Sequence, residues 1–299
     1  MGLTVELETW RGDWFTLYGP GQGDRGVTLG IGPEGLLNDE TWESRWNKYA
    51  NQIGATFGGI VIDEKDVKLG VEVLATPDAT LGENFKGWKR AWSRTADSRL
   101  WLETPDGARG YLPLRPRRTA GFNPETDPFV RQHGHVDTFL VAGDPRWRQP
   151  DTTQKWVSTV DTTDGSWTFH EFTVDNPCDY DLWPQYTLQA YPGVKYRIAD
   201  YSRGNNKERR AVEDATRVIQ MPALIAGEHV RVDTDQEAEQ VVSSLDTQIY
   251  QRMKGVRFLY PIQADTYKQK IVVGVSGAPA GVGVQLRCRR YWSSPLAMV

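Results

Sequence analysis

The chain has 299 residues, 39% hydrophobic and 25% charged, enough to bury a sizeable core and most naturally arranged as two domains. A net charge of −4 argues against a protein that grips nucleic acid electrostatically. No apolar run approaches the roughly 20 residues of a membrane span, and the opening Met1-Gly2-Leu3-Thr4-Val5-Glu6 lacks the basic flank and apolar run of a signal peptide. Gly2 also fails as a myristoylation site, because Glu6 stands where Ser or Thr is required.

In chain order, Gly21-Gln22-Gly23-Asp24-Arg25-Gly26 comes first and spells the dinucleotide-binding pattern Gly-x-Gly-x-x-Gly. That pattern works only when a helix follows and offers its N-terminus to a pyrophosphate. Val27-Thr28-Leu29-Gly30-Ile31-Gly32-Pro33 cannot be that helix, so a flexible glycine-rich loop is expected. Asn38 is placed to cap a helix over 39–49, where Trp42, Trp46 and Tyr49 fall at helical spacing. A second helix is expected over 84–93 through Phe85, Trp88 and Trp92. His133-Gly134-His135 sets two imidazoles on one side of an extended segment, a spacing seen in metal sites. Asp137 is the only close further ligand, so a surface or strand-edge pair is expected. The polar, Pro-containing stretch 144–153 reads as a linker that divides the chain into domains 1–150 and 151–299.

Beyond that stretch the pattern is strands, apart from one charged segment over 200–216 that carries Arg203, Lys207, Glu208, Arg209, Arg210, Glu213 and Asp214 and reads as a solvated loop. Asn176-Pro177-Cys178-Asp179 is a turn, followed by an alternating strand over 183–190 whose Pro184 suits a strand start or an edge. A short strand over 218–221 leads to Ile225-Ala226-Gly227-Glu228-His229-Val230-Arg231-Val232-Asp233-Thr234. There Ala-Gly-Glu is the starting turn, Val230 and Val232 alternate with polar residues, and Asp233-Thr234 is the stop. Extended segments follow at 255–261 and 270–275. The last strand, 282–292, sets Val282, Val284, Leu286 and Cys288 on one face and Gln285, Arg287 and Arg289 on the other.

This order of elements resembles the distal tail proteins (Dit-like minor tail proteins) of long-tailed bacteriophages, or siphophages. The resemblance rests on the Asn-x-Cys-Asp turn, the Ala-Gly-Glu-x-Val-x-Val-Asp-Thr strand, the Gly255-to-Pro261 segment and the closing Arg287-to-Trp292 strand. It extends to Val67-Lys68-Leu69-Gly70-Val71-Glu72-Val73, to residues 100–115 and to Phe139-Leu140-Val141-Ala142-Gly143-Asp144-Pro145-Arg146-Trp147, so it spans nearly the whole chain. It implies a mainly β protein, with an N-terminal β-rich belt domain carrying short helices and a C-terminal galectin-like β-sandwich. It further implies a structural virion protein at the distal end of the tail: a homohexameric ring that joins the tail tube and tape-measure end to receptor-binding and tail-lysin proteins and leaves a passage for DNA.

Catalysis is not expected, and no catalytic, cofactor-binding or metal residues are assigned. No Gly-x-Ser-x-Gly or His-Glu-x-x-His signature occurs. Asp161, Asp164, Glu171 and Asp175 form no pair whose spacing defines a sugar-cleaving cleft. Cys178 and Cys288 read as buried thiols, although a sandwich that joined its first and last strands could bridge them. Twelve tryptophans are many for this length; most are expected in the core, and some at subunit contacts. The alternative function is carbohydrate binding in host adsorption through the C-terminal sandwich, with Trp156, Trp167, Trp183 and Trp292 as the rings to inspect. An exposed Trp beside polar side chains on one sheet face would favour it.

Overall fold

Alternation with a period of two builds almost every element of the protein, which a computed structural model describes over residues 2–205 and 208–298. Lys207 of the charged segment and the Met1 end lie outside the described residues. The chain divides into two compact units, residues 1–149 with 292–299, and residues 150–291.

In the first unit, β1 (Thr4–Glu8), β2 (Trp14–Tyr18), β3 (Val27–Leu29), β4 (Trp42–Asn47), β5 (Thr56–Ile62) and β6 (Lys65–Leu74) precede helix α1 (Leu81–Arg90). Then come β7 (Ser98–Glu103), β8 (Arg109–Pro116), a four-residue turn of helix α2 (Pro128–Arg131), β9 (His133–Ala142) and the start of β10 (Trp147–Val157). Strands run antiparallel in the order β2-β1-β7-β8 and β3-β6-β9, and β9 also pairs with β8 through Arg115 and Val141. Every second residue points inward: Val5 and Leu7, Leu100 and Leu102, Leu112 and Leu114, Val67 to Val73, and Val136 and Leu140 are all buried. Each such side chain stabilises by about 1.5–3 kcal/mol before entropy is counted. Helix α1 closes this core with Trp88, whose ring meets Phe15 edge-on at 5.8 Å and whose indole N–H donates to Thr138 Oγ1 at 3.1 Å.

Three expectations are corrected. Residues 39–49 are not a helix: Trp42–Asn47 is β4, which pairs with β5 from Trp42·Ile62 to Asn47·Thr56. Trp42 and Trp46 are four apart, a spacing that shares a face in a strand as well as in a helix. Asn38 caps nothing, and its carbonyl accepts from the buried Lys65 ammonium. The second helix starts earlier than residue 84, because Thr80 and Glu83 form a reciprocal capping box at its N-terminus. The stretch 144–153 is also not an irregular linker, since strand β10 begins at Trp147.

The second unit contains β11 (Trp167–Asn176), β12 (Gln185–Leu188), β13 (Lys195–Ala199), β14 (Val218–Gln220), β15 (Val230–Asp233), β16 (Val241–Ser243), helix α3 (Ile249–Arg252), β17 (Thr266–Ser276) and β18 (Gly283–Trp292). One layer is ordered β11-β17-β13-β14, and the facing strands run β16-β15-β12-β18. Phe172, Tyr196, Ile198, Ile219, Ile271, Val273 and Val275 from the first layer meet Tyr186, Leu188, Val230, Val232, Val284 and Leu286 from the second in one core. The unit is therefore a β-sandwich. It is not strands alone: α3 and a 3-10 turn at Glu213–Thr216 interrupt the pattern. Gly255 is part of a turn with φ +74°, and residues 256–261 join no sheet.

Candidate functional site

The sequence motifs of the second unit turn out to be structural clamps. Glu228 of the Ala-Gly-Glu turn is fully buried. Its carboxylate accepts the Ile225 N–H at 3.0 Å and also binds Thr247 and Arg252. Burial pushes this carboxyl up, but the bonds from Arg252, Thr247 and Ile225 outweigh it and hold Glu228 below the usual carboxylate range. Gly227 makes the preceding turn at φ +76°. At the far end of β15, Asp233 accepts from the Gln185 amide, and Thr234 Oγ1 donates to the Pro184 carbonyl at 2.8 Å.

The Asn176 side chain secures the turn it begins, donating to the carbonyls of Tyr180, Ile262 and Gln263 at 2.9–3.1 Å. Asp200, at the start of the charged segment, receives the N–H groups of Leu259 and Tyr260 at 3.1 and 3.2 Å and pairs with Arg217. Burial nevertheless raises its carboxyl above the usual range. The segment is thus anchored at Asp200, and also at Asp214, which accepts the Tyr260 hydroxyl at 3.0 Å.

The other sequence candidates are not gathered into a reactive centre. In the glycine-rich segment, Gly26 has φ +66°, and a Cβ there would lie 2.1 Å from Asn84 Nδ2 and 2.5 Å from the Leu74 carbonyl, so this glycine serves a close backbone approach. His133 Nε2 and His135 Nδ1 each lie 2.7 Å from one carboxylate, Glu72 on the neighbouring strand, and Asp137 is shared between His135 and Lys68. The Glu72 hydrogen bond raises the His135 pKa above its ordinary value. Among the described residues, no three His, Cys, Asp or Glu side chains are grouped to hold a metal ion.

Asp161 and Asp164 accept N–H groups two residues on, Asp175 accepts the Lys268 N–H, and Glu171 pairs with Lys270. Cys178 and Cys288 are buried free thiols, raised to about 11 and about 12 by burial. Trp292 is buried and donates to Gln149, while Trp156 is half-buried and stacks on His170 at 5.2 Å.

Two surfaces do stand open. Strands β4 and β5 pair only with each other among the described residues. One face of this hairpin aligns Trp42 with Ile62, Ser44 with Ile60 and Trp46 with Phe57, whose rings touch at 5.5 Å. Trp46 is 57% and Phe57 53% exposed, and Tyr49 and Ile53 at the tip are barer still. An isolated two-stranded hairpin is at best marginally stable in water, and a contiguous apolar face of this kind marks a contact site. The second surface is the outward face of the β11-β17-β13-β14 layer, where Trp167, Phe169, Arg197 and Gln220 stand together.

Two such β-rich units define an architecture seen in phage distal tail proteins. The chain matches the SPP1 Dit (gp 19.1) protein, described as a paradigm of the hub adsorption apparatus in phages infecting Gram-positive hosts. That match has a TM-score of 0.55 and 10% identity, covering 96% of this chain and 98% of that one. It also matches a chain of the phage P2 baseplate in its activated conformation, with a TM-score of 0.52 and 10% identity over 97% and 98% of the two chains. In sequence, the protein is similar to Minor tail protein Gp27 of Mycobacterium phage D29 and of Mycobacterium phage L5. It is 27% identical to each, over 97% of this chain and 96% of each relative. No family model matches the chain. The resemblance to Dit-like minor tail proteins that the order of strands carries is therefore borne out along the chain, as is the mainly β fold.

Proposed function

We propose that this protein is a non-enzymatic structural component of the phage tail tip, a hub of the distal tail protein kind. In this reading residues 1–150 form the ring-closing belt, and residues 151–299 form the galectin-like sandwich. Copies assemble into a hexameric ring that leaves a channel for DNA. The ring joins the tail tube and tape-measure end to receptor-binding and tail-lysin proteins in the virion.

The observation that carries this reading is the β4–β5 hairpin. A closed ring requires heterologous contacts, one patch on each subunit meeting a different patch on the next. An apolar hairpin with both strand edges free supplies such a patch, and burying it in a neighbour also protects it from indiscriminate pairing. Trp42, Trp46 and Phe57 are residue types that concentrate binding energy at subunit contacts. The full-length similarity to minor tail proteins supports the same assignment.

Size-exclusion chromatography with light scattering and negative-stain imaging of the concentrated protein tests it. Six-membered rings are the expected result. A protein that stays monomeric alone, and is also missing from purified tail tips, would overturn the reading.

A further inference from the structure

We propose that the outward face of the second unit is a saccharide site, in which one pyranose ring lies against the exposed Phe169 ring in the cavity lined by Arg197 and Gln220. Strand register places Phe169, Gly274, Arg197 and Gln220 side by side in a single row across β11, β17, β13 and β14. The row borders a cavity of about 340 Å³ whose remaining walls are Val218 and Val272. This volume is at the small end of the roughly 300–1,000 Å³ range of ligand pockets and suits a compact ligand.

The glycine seats the aromatic wall of this cavity. A Cβ on Gly274 would fall 2.7 Å from the Phe169 ring and 3.2 Å from the Trp167 ring, so only a bare backbone lets these rings lie over the strand. The two rings are nearly parallel, 21° apart with centroids separated by 6.2 Å, and Phe169 is 53% exposed.

The polar wall is equally fixed. The Arg197 guanidinium lies 4.0 Å above the Trp167 ring centroid, and its Nε and Nη2 both donate to Gln220 Oε1 at 3.3 Å. This clamp leaves the Arg197 Nη1 hydrogens and the Gln220 amide N–H groups as donors at the rim. Among the described residues, Arg197 forms no ion pair with a carboxylate. An exposed aromatic ring beside oriented donors matches a pyranose, whose C–H face is apolar and whose edge hydroxyls accept hydrogen bonds.

Other ligand classes fit less well. A peptide cannot add a strand here, because the backbone of β17 and β13 is already paired on both sides. A phosphate site needs more than one cation within reach, and the row provides only Arg197. The proposal does not depend on ring assembly and stands or falls separately from it.

Saturation-transfer NMR on the full chain with glucose, galactose and glucuronate, each at millimolar concentration, tests the site. Transfer to the ring C–H protons of at least one sugar is expected. The signal should weaken about tenfold in Gln220→Leu and Arg197→Lys, as for loss of a single hydrogen bond to the ligand, and vanish in Phe169→Ala. Tyr267→Ala, an exposed ring at the far end of β17, should leave it unchanged. Melting curves confirm that each variant is folded; Phe169→Leu replaces Phe169→Ala should the latter unfold. No transfer from any of the three sugars overturns the proposal, as does transfer that survives in folded Phe169 and Arg197 variants.

Discussion

Single residues explain why the motifs stand where they do. Glu228 ends the Ala-Gly-Glu turn because a buried carboxylate there gathers Arg252, Thr247 and the Ile225 N–H. Glu228→Ala is expected to cost about 2–3 kcal/mol, less than a wholly buried pair, because Arg252 still reaches water; thermal melts at neutral pH check this. Its folded pKa is depressed, so the stability it contributes is present above the unfolded value, about 4.3, and is lost as pH falls through the folded one. The gap between wild type and variant should therefore narrow in acid.

His135 has the opposite sign. Its raised pKa, held by Glu72, means its contribution is present below about pH 6.5 and fades as pH rises through the folded value. An NMR titration should place its midpoint above that of a free histidine, and Glu72→Gln should bring it back down. The sequence marked Glu228 as the end of a turn and the two histidines as a pair beside Asp137. It did not show Glu72 on β6 or Arg252 in α3, which hold them.

At the scale of elements, periodicity is read well where one face is buried and poorly where neither is. The strand from Val230 to Asp233 and the final strand were legible because their inward residues are apolar and their outward residues are not. Residues 39–49 misled because hairpin β4–β5 is exposed on both faces. Without a buried stripe, the spacing of Trp42 and Trp46 fits either structure. The helix at Leu81–Arg90 carried a clearer sign in Thr80-Leu81-Gly82-Glu83, a capping-box spelling that fixes its start. Thr80→Ala removes the hydroxyl that accepts the Glu83 N–H and should destabilise the first unit by about 1 kcal/mol, measured by denaturant unfolding.

At the scale of the whole molecule, the open hairpin face becomes an assembly statement. Trp46→Asp combined with Phe57→Asp puts charge on a surface that is already solvent-exposed, so the isolated chain should keep its melting temperature. The same double variant should fail to form rings by light scattering and imaging. A variant that still closes rings would show that the subunit contact lies elsewhere.

The sequence by itself determined the fold class and the resemblance to distal tail proteins. Alternation, turn residues and their order are properties of the chain and survive without coordinates. It also showed the absence of familiar catalytic signatures. Only the tertiary structure decided that Glu228, Asn176 and Asp200 are clamps, that Trp292 is buried, and that Trp167 instead borders an open row with Phe169, Arg197 and Gln220. These facts depend on strand register, which joins residues a hundred positions apart and turns on which neighbour supplies the missing hydrogen bond or buried face.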